Sequence, residues 1–467
     1  MYKSKTLNLV INSLIIIISL ITTIYLFKQR PQLDAGYENI YLLPLAYLIF
    51  HILFIRKVMK DYGISMFLGV YITVSFFRYV VLSFLVVLSR WFYGRAIYPP
   101  EPIFYKQAIY MMIYELLIYN IAILIFHRFF FKNKEKSMKK TDNNNEVKYS
   151  KNNIVYIIFI IFTFMLVAIR PNSISFFSFL SVNKNYVGLE SVDTLTAIMT
   201  IFLNTSRILI YLIIVRWCML NIHPKSPILS FIFVSIITIV NSLVFFGTNR
   251  ADFVFNFIVN LVVLMYLYKK LGVVFSVFLS SLMPLVITGL SNYRETSTIT
   301  HGTNKLIDFT DNIQVYLGGI YNVALSLDLH SPNHSLLVLF IDILRSAFGP
   351  NLILKYINIT SSVNLYNMRI FNNGHVSQII PMIGQGNLYL GRIFAPILGV
   401  SFIFLAVFIV KEIVKVKRLE LIYVLTLFSG RLGFVMAQNG KIFMNDLTYF
   451  LPLFLIVYYL NNKVISR

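Results

Sequence analysis

A single cysteine, Cys218, lies within an apolar stretch, which excludes both a disulfide framework and a thiolate metal site. Charge is scarce as well. Only 13% of the residues are charged, and 19 acids stand against 41 bases, whereas a water-soluble chain carries about 25% charged residues. The sequence also lacks HExxH, a Walker phosphate loop, a GxSxG elbow and an Asp-x-Asp pair, each of which would mark a particular chemistry. Asp308 and Asp311 alone are too few to hold a metal ion, so metal-independent, cofactor-free chemistry is expected. No repeat at a fixed period and no inverted pair of broken helices is visible.

What fills the chain instead is apolar sequence: 58% hydrophobic residues and a mean hydropathy of +0.74. A bilayer core about 30 Å thick needs about 20 apolar residues in a helix rising about 1.5 Å per residue. Twelve runs fit, near 7–27, 40–55, 64–88, 108–126, 154–169, 195–215, 227–246, 253–268, 271–290, 391–410, 419–437 and 447–460. The expectation is therefore an all-α integral membrane protein of about twelve transmembrane helices in one polytopic domain, 1–467. The first run follows Lys3 and Lys5 but has no small-residue cleavage site, so it reads as a retained span. The ninth, with Pro284 and Gly289, is the least regular.

The net charge of +22 raises the question of nucleic acid, and the placement of the bases answers it. Alternate loops hold 23 of the 41 basic residues, the pattern that sets cytoplasmic loops apart. Both termini then come out cytoplasmic, and the basic excess is a topology signal with no call for nucleic acid. The cytoplasmic stretch 127–153 is a Lys/Asn-rich linker expected to be disordered. The large hydrophilic segment, 291–390, is expected outside as an ordered cap contributing to a site. Within it, 335–348 reads as an interfacial helix carrying Asp342, Arg345 and Ser346 on one side, stopped by Pro350.

Charges inside apolar runs cost at least about 2.5–3.5 kcal/mol each. Arg78 and Glu115 sit at comparable depths and read as a structural ion pair. Arg207 belongs to a stripe, Thr200, Asn204, Arg207 and Tyr211, that keeps one helical face and should line an interior or a watery cavity. Arg431 stands near the end of its run, where it either snorkels or serves a site.

Four segments carry candidate chemistry. The turn from Phe246 to Asp252 leads into the eighth run, with Thr248 or Asn249 placed to cap the helix and Arg250 beside its positive end. A helix start plus a guanidinium makes an anion site. Asp252, Asn256 and Asn260 follow at spacing four, giving an inward polar face. Arg294, after the ninth run, can reach the same level, and two such cations suit a lipid-linked pyrophosphate. Finally, 372–391 holds four glycines, His375, Gln378 and Gln385, with Arg392 directly after it. The amides could meet sugar hydroxyls. An imidazole with an ordinary pKa of about 6.5 suits His375 as general base, in competition with His301, His330, His334, Asp308 and Asp311.

Taken together, the Gly-Thr-Asn-Arg250 turn opening a span, the arginine after the ninth run, the large loop before the tenth and the stretch GHVSQIIPMIGQGNLYLGRIFAPIL resemble the Wzy-type repeat-unit polymerases of capsule and O-antigen synthesis. The resemblance implies a GT-C-like membrane glycosyltransferase that joins oligosaccharide repeat units carried on undecaprenyl pyrophosphate at the outer face of the bacterial cytoplasmic membrane. It carries catalytic roles to Arg250, Arg294 and His375, and substrate-binding roles to Arg207, Asp252, Asn256, Gln378, Gln385, Arg392 and Arg431. It also implies a flippase and a chain-length regulator as neighbours. A lipid-linked oligosaccharide flippase, or a transferase like the O-antigen ligases, is the rival expectation.

Overall fold

The structure, a computed structural model, describes residues 5–132, 147–150, 152–179, 194–246, 250–293, 304–329, 335–354, 356–370 and 378–465. From the amino end run α1 (Lys5–Gln29), α2 (Leu42–Tyr62), α3 (Met66–Ser89) and α4 (Pro102–Phe131). Then come α5 (Ile154–Ile169), α6 (Thr194–Trp217), α7 (Pro227–Leu243) and α8 (Arg250–Tyr293). Six shorter helices follow: α9 (Lys305–Leu317), α10 (Ile320–Leu327), α11 (Leu336–Leu344), α12 (Pro350–Leu354), α13 (Ser362–Ile370) and α14 (Met382–Phe394). Closing the chain are α15 (Ile397–Lys415), α16 (Leu419–Leu432), α17 (Gly440–Tyr449) and α18 (Leu451–Ile465). Among the described residues, strand structure amounts to one antiparallel pair, β1 (Phe177–Phe179) on β2 (Val244–Phe246), with Phe177 opposite Phe246.

Eight described helical stretches are long and apolar enough to cross a bilayer, so the protein is an α-helical, multi-pass membrane protein. The remaining apolar runs lie in α5, α7 and α16, which are shorter, and in α8, which carries two runs. The helix α8 is not one rod. Its backbone breaks at Lys269, with φ 48° and ψ −116°, and the arms fold back on each other. A Cβ on Gly272 would stand 2.4 Å from the Leu264 carbonyl, and Ser276 Oγ donates to the Leu261 carbonyl at 3.4 Å. A pair of lysines between two apolar runs is where such a reversal belongs, because the ammonium groups stay in water.

Contacts gather into two compact units. One comprises Met1–Thr141, Ile299–Val414 and Phe428–Asn445, the other Asp142–Thr298, Lys415–Leu427 and Asp446–Arg467. In the first, α2 and α3 each contain a π-helical turn, at His51–Ile55 and Phe77–Val81. Such a turn inserts one extra residue and re-aims the side chains around it. The α3 turn carries Arg78, whose guanidinium meets Glu115 of α4 at 2.7 Å with both side chains fully buried. The ion pair expected from the sequence is there, and Arg78 Nε also donates to the Gly318 carbonyl at 3.0 Å. Gly318 ends α9 in the left-handed conformation, φ 60°, which a glycine adopts without strain.

After Gly318 comes the short helix α10, in which all eight residues are buried. It packs on α4 and on α14. The hydrophilic segment is thus seated on the apolar helices by its own core. Two polar clamps hold its flanks. Arg95 Nε donates to Asp311 at 2.5 Å while Trp91 donates to the other carboxylate oxygen at 3.2 Å, and Arg369 grips Asp328 through two nitrogens, at 2.9 and 2.6 Å.

The 127–153 linker is not disordered at its ends, one of which lies in the first unit and the other in the second. His127 is buried inside α4, which runs on to Phe131. Lys148 bridges to Arg418 through the backbone, and Asn461 of α18 donates to Ser150 Oγ at 3.0 Å and to the Asn152 carbonyl at 2.8 Å. Residues 133–146 and 151 lie outside the described residues.

Candidate functional site

In the second unit, the stripe read from α6 faces α7. Thr200 and Tyr211 are buried, and Tyr211 OH pairs with Thr238 Oγ1 at 3.3 Å. Arg207 donates to the Asn241 carbonyl at 3.4 Å and, more closely, to that of Val244. Both carbonyls belong to the last turn of α7 and its exit, where four acceptors lack helical partners. A cation there satisfies them and complements the negative helix end.

Facing this terminus, α8 presents amides. Asn260 Nδ2 donates to Ser242 Oγ at 2.8 Å, and Asn241 Nδ2 donates to Asn260 Oδ1 at 3.1 Å. Asn256, one turn earlier, is also buried. The inward polar face expected of Asn256 and Asn260 is present. The structure describes α8 from Arg250 onward. The side chains of Arg250 and Asp252 lie outside the described residues, as do Thr248, Asn249, Arg294, His301, His330, His334 and His375.

In the first unit a buried carboxylate draws four helices together. Asp342 of α11 is fully buried. Its Oδ2 accepts from Ser362 Oγ at 2.5 Å, Ser362 N at 3.3 Å, Gln385 Nε2 at 3.2 Å and Tyr389 OH at 3.2 Å. Four donors on one oxygen suit an ionised carboxylate. On the other side Lys441 Nζ stands 3.9 Å from Oδ1, and Gln385 Oε1 accepts the Gly440 N–H at 2.8 Å. Burial, followed by the Asp342 charge, pushes the Tyr389 phenol above its ordinary pKa, so it stays a donor.

This corrects the bounds and the polar side read for 335–348, while Leu336, Leu337 and Phe340 stay exposed as an apolar face. The helix α11 ends at Leu344, Asp342 points into the core, and Pro350 opens α12 instead of ending a helix. Proline is at home in a first helical turn, where its missing N–H has no partner to lose. Arg345 folds over the turn and donates to the carbonyls of Leu354, Ile357 and Ile359.

The amides of the glycine-rich stretch are also engaged within the fold. Gln385 joins the Asp342 cluster. Gln378 Oε1 accepts from Asn322 Nδ2 at 3.3 Å, and its backbone exchanges hydrogen bonds with Asn367. The same Asn322 Nδ2 donates to Tyr366 OH at 2.9 Å. Burial lifts the Tyr366 phenol well above its ordinary pKa, with the neighbouring Tyr321 adding to the shift, which removes Tyr366 as a base. Close packing is the use of Gly384: a Cβ there would lie 2.3 Å from Ser326 Oγ.

Of the other residues singled out, Asp311 is held by Arg95 and Trp91. Arg431 is half-buried at the penultimate position of α16. Arg392 is exposed and donates to Gln107 Oε1 at 2.9 Å. Among the described residues, no three His, Cys, Asp or Glu side chains converge as metal ligands would. Sequence reasoning missed the Asp342 cluster. Its signal was an acid in the middle of the apolar run SLLVLFIDILRSAF, a placement that demands partners.

Comparisons with known protein families, curated proteins and solved structures found no match.

Proposed function

We propose that this chain is a membrane glycosyltransferase that polymerises oligosaccharide repeat units carried on undecaprenyl pyrophosphate, with its active site outside the bacterial cytoplasmic membrane. The observation that supports the reading is that α8, described from Arg250 onward, carries the buried amides Asn256 and Asn260 one turn apart. Amide groups following a cation on one helix suit a phosphate-bearing ligand that also presents hydroxyls.

In the reaction, a hydroxyl oxygen of the incoming unit attacks the anomeric carbon of the growing glycan. The bond from that carbon to the pyrophosphate oxygen breaks, and undecaprenyl pyrophosphate departs with the electron pair. Arg250 and Arg294 neutralise the departing charge, the kind of electrostatic help that is often the largest catalytic contribution. His375 takes the hydroxyl proton. The free energy resides in the pyrophosphate ester, so no nucleotide is consumed.

Purified protein in nanodiscs, given a synthetic undecaprenyl-pyrophosphate oligosaccharide, should produce a ladder of longer glycans. Deleting the gene should leave single repeat units at the cell surface. Absence of surface glycan would identify a flippase, and full-length but unattached polymer would identify a ligase.

A further inference from the structure

The helices α9 and α10 form a hairpin that descends into the first unit and returns. It enters at the Ser89 end of α3, where Arg95 and Trp91 hold Asp311. It then runs beside α3 to the Gly318–Gly319 turn, where the Gly318 carbonyl accepts from Arg78. Arg78 stands in the middle of α3 and its partner Glu115 in the middle of α4, and both helices are of membrane-crossing length. Leu317 goes farther, packing on Val70, Val74 and Ala437, beyond Arg78 as seen from Ser89. The helix α10 then returns along α4, and Asp328 after it is held by Arg369, which also donates to the Tyr98 carbonyl in the loop between α3 and α4. The turn therefore lies about halfway down two spanning helices, although hydropathy leaves this segment outside the apolar runs.

The local chemistry suits that depth. In hydrocarbon, backbone polar groups must find partners within the protein. The turn supplies them: Gly319 N donates to the Gln314 carbonyl at 3.0 Å, Gln314 Oε1 accepts the Tyr321 N–H at 3.3 Å, and Arg78 takes the Gly318 carbonyl. Polarity also falls along α9 toward the turn. Lys305, Asp308, Asp311 and Asn312 occupy the entering half, whereas 313–320, IQVYLGGI, has no charge, and its one amide, Gln314, is buried. The outward side of α9 is apolar. Leu306, Phe309, Ile313 and Tyr316 share one helical face at spacings of 3, 4 and 3, with Phe309 54% and Tyr316 43% exposed. Thr310, Asp311 and Gln314 are buried on the other side. A helix standing in water would present the opposite arrangement.

We propose that 305–327 is a re-entrant helical hairpin whose outward face, Leu306, Phe309, Ile313 and Tyr316, is covered by bilayer hydrocarbon, with the Gly318–Gly319 turn near the midplane. Depth decides the occupant. Phe77, next to Arg78 at the level of the turn, is itself 42% exposed on a spanning helix, so the outward side at this level belongs to lipid tails of whatever headgroup. Part of the segment expected as an external cap is then intramembrane. The inference stands apart from the polymerase reading.

Cys218 is the sole cysteine, so Cys218→Ser provides a background for single nitroxide labels in the full-length protein in phosphatidylcholine nanodiscs. Lys305→Cys, Phe309→Cys and Tyr316→Cys sample the hairpin, and Ile125→Cys, exposed on α4, serves as the lipid-facing control. Collisions with oxygen, which concentrates in hydrocarbon, should rise from 305 to 316 relative to those with a water-soluble nickel chelate. The corresponding depth difference is about 15 Å at about 1.5 Å per residue, and the label at 316 should match the control. Nickel collisions as frequent at 316 as at 305 would put the hairpin in water, and few collisions with either reagent would mean that protein covers the face. Either result overturns the proposal. A second measurement needs no substitution: a carbene precursor dissolved in the lipid should label 306–317 of the unaltered protein as heavily as the exposed residues of α4. An unlabelled 306–317 beside a labelled α4 overturns the proposal equally.

Discussion

Arg78 in α3 and Gly318 at the end of α9 are joined by a 3.0 Å hydrogen bond across 240 residues of sequence, and the same guanidinium is paired with Glu115 at 2.7 Å. A buried ion pair inside apolar helices thereby fixes the hydrophilic segment to the helices beneath it. Removing one partner leaves the other charge buried and alone, at a cost of about 3–5 kcal/mol. Arg78→Met and Glu115→Leu should each lower the apparent melting temperature in detergent sharply, and Arg78→Met should also expose 304–329 to protease. Combining the two should recover part of the loss. Wild-type melting in both single variants would show that the pair holds nothing.

The Asp342 cluster makes a second, independent stability prediction. Asp342→Ala strands the Ser362, Gln385 and Tyr389 donors without their acceptor, and orphaned buried donors cost about 1–3 kcal/mol each. A net loss of about 3 kcal/mol is expected, with Gln385→Ala costing less because only one spoke is removed. Fluorescence-detected thermal unfolding would measure both, and a shift no larger for Asp342→Ala than for an exposed control would refute the role.

Catalysis should depend on residues outside these anchors. Arg250→Ala and Arg294→Ala should each cut polymer formation about 10²–10³-fold while membrane insertion stays normal, and His375→Ala should do the same at neutral pH. Polymer sizing on gels, with the amount of protein checked by immunoblot, decides each case. Long chains in any of these variants would remove that residue from the mechanism.

Alkali should unfold the protein through its buried phenols. Tyr366 and Tyr389 are both held above the ordinary tyrosine range, chiefly by burial. In the folded state they keep protons that the unfolded chain releases above about pH 10. Their contribution is full below that pH and falls as pH rises toward the folded values. Tyrosinate absorbance should therefore appear together with loss of helix, and Tyr366→Phe should reduce the pH dependence. Phenols that ionise in a normal range with helicity intact would contradict this.

The architecture was legible wherever one residue type had one place to go. Apolar runs of sufficient length had to be helices, and Lys269 with Lys270 between two of them marked the reversal in α8. Arg78 and Glu115 announced each other because two lone charges in hydrocarbon have few alternatives. Depth in the hydrophilic segment was not legible. The eight residues of α10, IYNVALSL, are too short to stand out by hydropathy, yet every one is buried. Asp342 was noticed on the polar side of an apolar helix, but its buried partners were not foreseen, because they lie 20 to 47 residues away and no local pattern links them. The π-helical turn that re-aims Arg78 left no trace in the composition.

The two units are interleaved along the chain, and neither is a continuous piece: α16 and α17 each begin among the residues of one and end among those of the other. Order of synthesis then matters. Arg78 and Glu115 reach the membrane long before the ribosome has made Gly318, and both bundles stay open until the last helices arrive. A nascent chain stalled in its second half would hold two unfinished bundles with ionised groups facing lipid, the kind of substrate that membrane quality-control proteases recognise.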